Sequence, residues 1–126
     1  MQELSVVQKT HDFIKWYVPI LNRLPKDHKF QLGSRTIERI YELLEGLIEA
    51  KYAKSKLAKL ESLNISLSVL RHQTRLLQEF DLISLQRFEY ANRAMQEIGN
   101  ELGGWIEQRK RSSESEAIRK PILANN

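Results

Sequence analysis

The stretch Leu57–Phe80 reads LAKLESLNISLSVLRHQTRLLQEF and decides the fold. It holds neither proline nor glycine. Leu60, Leu63, Leu67, Leu70 and Leu77 recur at steps of three and four, with Thr74 filling the gap. That spacing places them along one side of a helix about 36 Å long at 1.5 Å per residue. Beside the leucines runs a polar stripe, Asn64, Arg71 and Gln78, and Arg75 sits one turn beyond Arg71. One face is built for burial, and its flank offers guanidinium groups.

Three more amphipathic helices surround this one. Upstream, residues 1 to 9 read as frayed or partly helical. From about Thr10 a helix carries Ile14, Tyr17, Val18, Leu21 and Leu24 on one face, with Pro19 inside it and Pro25 ending it. A second helix from about Gly33 to Ala53, capped by Ser34, presents Ile37, Ile40, Tyr41, Leu44, Leu47, Ile48 and Tyr52 as its apolar face. Glu38, Glu42, Glu45 and Glu49 line the other side. Gly46 lies mid-helix, where it weakens the helix by about 1 kcal/mol relative to alanine. The spacing therefore predicts a close approach by a neighbour. Downstream, Asp81–Ser84 reads as a short turn with Ser84 capping a fourth helix. There Phe88, Ala91, Met95, Ile98, Leu102 and Trp105 form a heptad-like seam. Gly103-Gly104 reads as a second place for a backbone to come near. The seam predicts a helix end around Arg109–Arg111, and the polar sequence from Ser112 to Asn126 predicts a disordered tail. The expected architecture is all-α: an antiparallel up-down-up-down four-helix bundle over residues 1–111, with residues 112–126 as the tail.

The chain has 126 residues, enough for one domain with its own core. Its hydrophobic content is 41% and its charged content 29%, which fits an ordered, water-soluble protein. No apolar run approaches a membrane span, and MQELSVVQKT lacks the pattern of a secretory signal. There is no cysteine, which excludes disulfides and thiolate metal sites and is compatible with a cytoplasmic location. With 20 Lys and Arg against 16 Asp and Glu, the net charge is +4 and the pI about 9.4, a balance that favours anionic partners.

Catalytic and metal chemistry finds no constellation to build on. A di-metal bundle needs Glu-x-x-His pairs, and the residues three before His11, His28 and His72 are Gln8, Pro25 and Val69. No serine sits in a Gly-x-Ser-x-Gly turn and no phosphate-cradle glycine loop is present. No enzyme activity, cofactor or metal is expected. His72 reads as a surface residue, and Trp16, Trp105 and Phe88 as packing residues.

The cations remain. Lys51, Lys54, Lys56 and Lys59 bridge the second and third helices without an intervening acid; part of this cluster has a purely structural use at a helix C-terminus. Arg71 and Arg75 share a helical side, although Glu79 stands where it can pair with Arg75. Arg87 and Arg93 flank the fourth helix's seam, and Arg109, Lys110 and Arg111 close it. A single basic run is usually a solvated face; several on one compact domain point to backbone-directed nucleic-acid binding. The other reading is a protein-interaction module that meets its partner through apolar and acidic faces.

The chain resembles the accessory variability determinant of diversity-generating retroelements, within the S23-like four-helix-bundle group linked to 23S ribosomal RNA intervening sequences. The residues that carry the resemblance are Tyr17-Val18-Pro19-Ile20, Leu24-Pro25-Lys26-Asp27-His28, Leu67-x-x-Leu70-Arg71-x-x-x-Arg75 and Leu102-Gly103-Gly104-Trp105-Ile106 followed by basic residues. The S23-like group usually carries Asn-Ile-Ala-Glu-Gly late in its second helix. Here Gly46-Leu47-Ile48-Glu49-Ala50 stands instead, which favours the retroelement branch. The resemblance implies a homopentameric barrel without catalytic activity. It also implies association with the retroelement's reverse transcriptase and template RNA in support of mutagenic retrohoming. The moderate net charge departs from that family's pattern.

Overall fold

Helix α1 spans Gln2–Asn22, α2 Ser34–Ala50, α3 Lys56–Glu79 and α4 Leu85–Ala124. This is a computed structural model, and it describes the backbone of residues 2–124 and the side chains of residues 5–116. Each helix packs against its neighbours in sequence, and α4 returns to α1, which closes the antiparallel four-helix bundle. The register is set by facing pairs: Ser5 with Glu101 and Lys9 with Glu97 between α1 and α4, and Gly46 with Leu63 between α2 and α3. Between α3 and α4, Leu67 faces Gly99 and Arg71 faces Met95.

The leucine stripe of α3 is the centre of the core. Leu60, Leu63, Leu67, Leu70, Thr74 and Leu77 are all buried, as are Ala91, Met95, Ile98, Leu102 and Trp105 of the α4 seam. Thr74 does more than fill a gap. Its hydroxyl lies 2.8 Å from the Tyr17 phenol and 3.9 Å from Met95 Sδ, so a buried hydrogen-bond chain joins α1, α3 and α4. Gly46 behaves as its position predicts, because a Cβ there would collide with the Leu63 side chain. Gly103 does not: nothing lies within 4 Å of where its Cβ would stand. The close approach on α4 occurs one turn earlier, at Gly99, where Arg71 Nη2 comes within 2.5 Å of that point.

Four expectations need correction. First, α1 starts at Gln2 rather than near Thr10; Val6 and Thr10 are fully buried, the Thr10 hydroxyl donates to the Val6 carbonyl at 2.8 Å, and this anchoring holds the first turns against fraying. Second, Ser34 does not cap α2. The chain enters through a helical turn at Lys26–His28 and a π-helical turn at Lys29–Gly33, so the first N–H groups of α2 already have backbone partners. The Ser34 hydroxyl instead donates back to the Lys29 carbonyl at 2.9 Å. Third, α2 ends at Ala50, and its apolar face splits in two. Ile40, Leu43, Leu47 and Ala50 are buried, whereas Tyr41 (43% exposed), Ile48 (42%) and Tyr52 (83%) face outward. Fourth, α4 continues past Arg111 to Ala124, although the core ends at Ile106. Neither glycine nor proline interrupts Ser112–Lys120, and an established helix extends by one hydrogen bond per residue. Asn125 and Asn126, also assigned to the tail, lie outside the described residues.

Ser84 does cap α4, its hydroxyl accepting from the Arg87 N–H at 3.2 Å. The end of α3 is closed by a left-handed Asp81 (φ 60°). The Leu82 N–H returns to the Leu77 carbonyl at 2.8 Å and the Asp81 N–H to that of Gln78 at 2.9 Å, the double bond of a Schellman motif.

Candidate nucleic-acid interface

The eleven candidate cations do not form one patch. The fold divides them by the register of the bundle. Lys51, Lys54, Lys56 and Lys59 sit at the end where α2 passes to α3. The α3–α4 register that sets Leu67 beside Gly99 carries Lys56 level with Lys110, so Arg109, Lys110 and Arg111 reach the same end. Arg71 and Arg75 lie on the α3 flank facing α4. Arg87 is in the first turn of α4, at the opposite end from the lysines. Arg93 borders a small cavity with Tyr90, Ala94 and Glu97, away from the other arginines. Three of these cations have carboxylate partners: Lys59 with Glu49 at 3.0 Å, Arg75 with Glu79 at 3.5 Å and Lys110 with Glu107 at 3.8 Å. All three are surface pairs, each contributing well under about 1 kcal/mol, and an incoming phosphate can replace the carboxylate.

The α3–α4 flank has the most developed geometry. A groove of about 280 Å³ is lined by Ser68, Arg71, His72 and Arg75 from α3 and by Phe88 and Asn92 from α4. Its lining contains no carboxylate. Four other surface cavities among the described residues each carry Asp or Glu. Arg71 is held in place: its Nη2 donates to the Met95 carbonyl at 3.3 Å, across the notch left by Gly99. An extended guanidinium fixed by a backbone carbonyl keeps its remaining N–H groups for a ligand.

Spacing alone identifies Arg71 and Arg75; it reads Phe88 as a packing residue, which holds for the side turned to the core, and His72 as plain surface, and it passes over Ser68, Asn92 and Gly99. Three of these positions carried a signal. Phe88, Asn92 and Gly99 repeat at four- and seven-residue steps, one position to the side of the Ala91–Met95–Ile98–Leu102 seam. The aromatics at the α1–α4 seam have a packing role: Trp16 lies between Tyr17 and Tyr90, with ring centroids 5.5 and 4.3 Å away.

Among the described residues, no group of three His, Asp or Glu side chains is placed to hold a metal ion. No helix among them is long and apolar enough to cross a membrane.

The family model described as bAvd-like matches residues 4–109, which span all four helices of the bundle. The chain belongs to the bAvd-like family. A solved structure agrees with this bAvd-like fold: a protein of unknown function from the S23 ribosomal protein family of Bacteroides thetaiotaomicron VPI-5482. It superposes with a TM-score of 0.77 at 21% identity, over 85% of this chain and 99% of that one. At that identity the likeness establishes the shared four-helix architecture. No curated protein matches the sequence.

Proposed function

We propose that the protein is a noncatalytic accessory subunit of a diversity-generating retroelement, binding the reverse transcriptase and its template RNA to support mutagenic retrohoming. Membership of the bAvd-like family over residues 4–109 carries this reading. Two features support the RNA part: a carboxylate-free groove with Arg71 and Arg75 at its rim, and the convergence of Lys51, Lys54 and Lys56 with Arg109–Arg111 at one end of the bundle. Phosphate contacts of this kind give affinity with little sequence preference.

The outward stripe of α2 supports self-association, with a homopentamer as the expected assembly. Tyr41 and Ile48 stand exposed in front of the half-buried Ile37 and Leu44, which pack against the core, and Glu38, Glu42 and Glu45 beside them have no ion-pair partner among the described residues. Exposed apolar rows of this kind mark protein contacts. The same stripe favours the second reading, a protein-interaction module that binds no nucleic acid. Co-purification with the reverse transcriptase, before and after nuclease treatment, separates the two. An accessory subunit of the proposed kind retains the polymerase and brings template RNA with it before nuclease. Recovery of polymerase with no RNA in either sample supports the protein-only module, and recovery of neither overturns both.

A further inference from the structure

We propose that the groove between α3 and α4 is a seat for one unpaired nucleotide of a bound RNA strand. In this seat Arg71 and Arg75 hold the phosphate and the Phe88 ring stacks on the base. The inference rests on the RNA-binding reading above and gives it a location and a form of ligand.

Four observations lead there. Arg71 and Arg75 stand one helical turn apart on the same rim, the spacing that lets two guanidinium groups converge on one phosphate. Phe88 is half-buried, packed against the core on one side and lining the groove with the other. Its ring therefore offers a fixed flat surface, and stacking on a fixed aromatic tolerates any base. Ser68, His72 and Asn92 complete the lining with groups able to donate and accept hydrogen bonds, as a ribose hydroxyl and a base edge require. Lastly, Gly99 fixes Arg71. A Cβ at position 99 would stand 2.5 Å from Arg71 Nη2, so the guanidinium reaches the Met95 carbonyl only because that Cβ is missing. Gly99 is thus a positioning residue for the phosphate contact.

The groove also has an exit. Gly103, one turn beyond Gly99, has nothing within 4 Å where its Cβ would stand, which leaves the backbone of α4 bare in the direction of Lys56 and Lys110. From Arg75 to Lys56 the distance along α3 is about 28 Å at 1.5 Å per residue. A single strand leaving the seat along this shelf would reach the second group of cations. A duplex would not present an unstacked base to Phe88, so the geometry selects single-stranded RNA.

The test compares short oligouridylate with inorganic polyphosphate as ligands at about 50 mM salt, where phosphate contacts are strong. Gly99→Ala keeps the charge, places a better helix former in α4 and displaces only the flexible end of Arg71. It is expected to weaken oligouridylate binding about tenfold, the loss of one charge-assisted contact. Phe88→Leu is expected to weaken oligouridylate about fivefold or more and leave polyphosphate unchanged. Glu79→Gln, which frees Arg75 from its partner, is expected to raise the affinity about twofold. If Gly99→Ala and Phe88→Leu both bind oligouridylate like the unaltered protein, the seat is overturned while RNA binding stands. The seat also falls alone if the protein binds folded template RNA but not oligouridylate. If the protein binds no RNA at all, the seat and the RNA-binding reading fall together. Circular dichroism of each variant confirms the fold, and Gly99→Ala alone decides the matter if Phe88→Leu does not fold.

Discussion

Tyr17 and Asp81 show how single residues bear on stability. The Tyr17 side chain is fully buried, and burial pushes its phenol well above the usual tyrosine range, with the Thr74 hydrogen bond pulling part of the way back. Above pH 10 the unfolded chain has lost this proton while the native phenol keeps it. The stabilising effect is therefore complete below pH 10 and is lost as pH rises beyond it, at up to about 1.4 kcal/mol per pH unit. Urea unfolding of the Tyr17→Phe variant is expected to show a shallower decline between pH 10 and 11 than the parent, and at pH 7 a loss of about 1 kcal/mol for the missing hydrogen bond. Parallel declines in the two proteins would count against a buried neutral phenol. Asp81 holds a left-handed backbone at φ 60° that glycine adopts without strain. Asp81→Gly is therefore expected to raise stability by about 0.5–1 kcal/mol, read from the same denaturation curves; a lower stability would mean that the aspartate side chain contributes more than the turn geometry shows.

At the scale of the helix, α2 carries two apolar rows: one buried against α1 and α3, the other with Tyr41 and Ile48 exposed and Ile37 and Leu44 half-buried. If the outer row seals contacts between subunits, the double substitution Tyr41→Ser and Ile48→Ser should shift the mass measured by light scattering toward the monomer while circular dichroism still reports a helical chain. An unchanged mass would count against a subunit contact on this row. The two rows also show where a sequence stops being legible. The leucines of α3 and the seam of α4 follow one period and sit where that period places them. In α2, apolar residues occupy about half the circumference, so periodicity alone cannot say which row a neighbouring helix will take; Leu43 went inside and Tyr41 outside because of where α1 and α3 lie. Gly99 and Gly103 make the same point. Both interrupt helix propensity, but only the packed bundle reveals that one accommodates Arg71 and the other lies open. The groove was legible in half: Arg71 and Arg75 share a face by spacing alone, whereas Phe88 and Asn92 join them only through the register of α4 on α3.

For the molecule as a whole, antiparallel packing sorts the charges. It brings the cations that bridge α2 and α3 to the same end as those that close the seam of α4, and it sets Arg71 and Arg75 on a groove whose lining holds no carboxylate, with Glu79 paired to Arg75. A net charge of +4 per chain is modest, and it would be multiplied by assembly around an axis. The most direct test of the account is the affinity for template RNA measured as a function of salt. Binding through phosphates predicts that log K falls linearly with log salt, by about 0.7 per phosphate contacted on a single strand. It further predicts a slope about 0.7 shallower for the double variant Arg71→Gln and Arg75→Gln, which removes the one phosphate contact the two arginines share. Absence of RNA binding at about 50 mM salt, or binding that salt and the double variant leave unchanged, would contradict it.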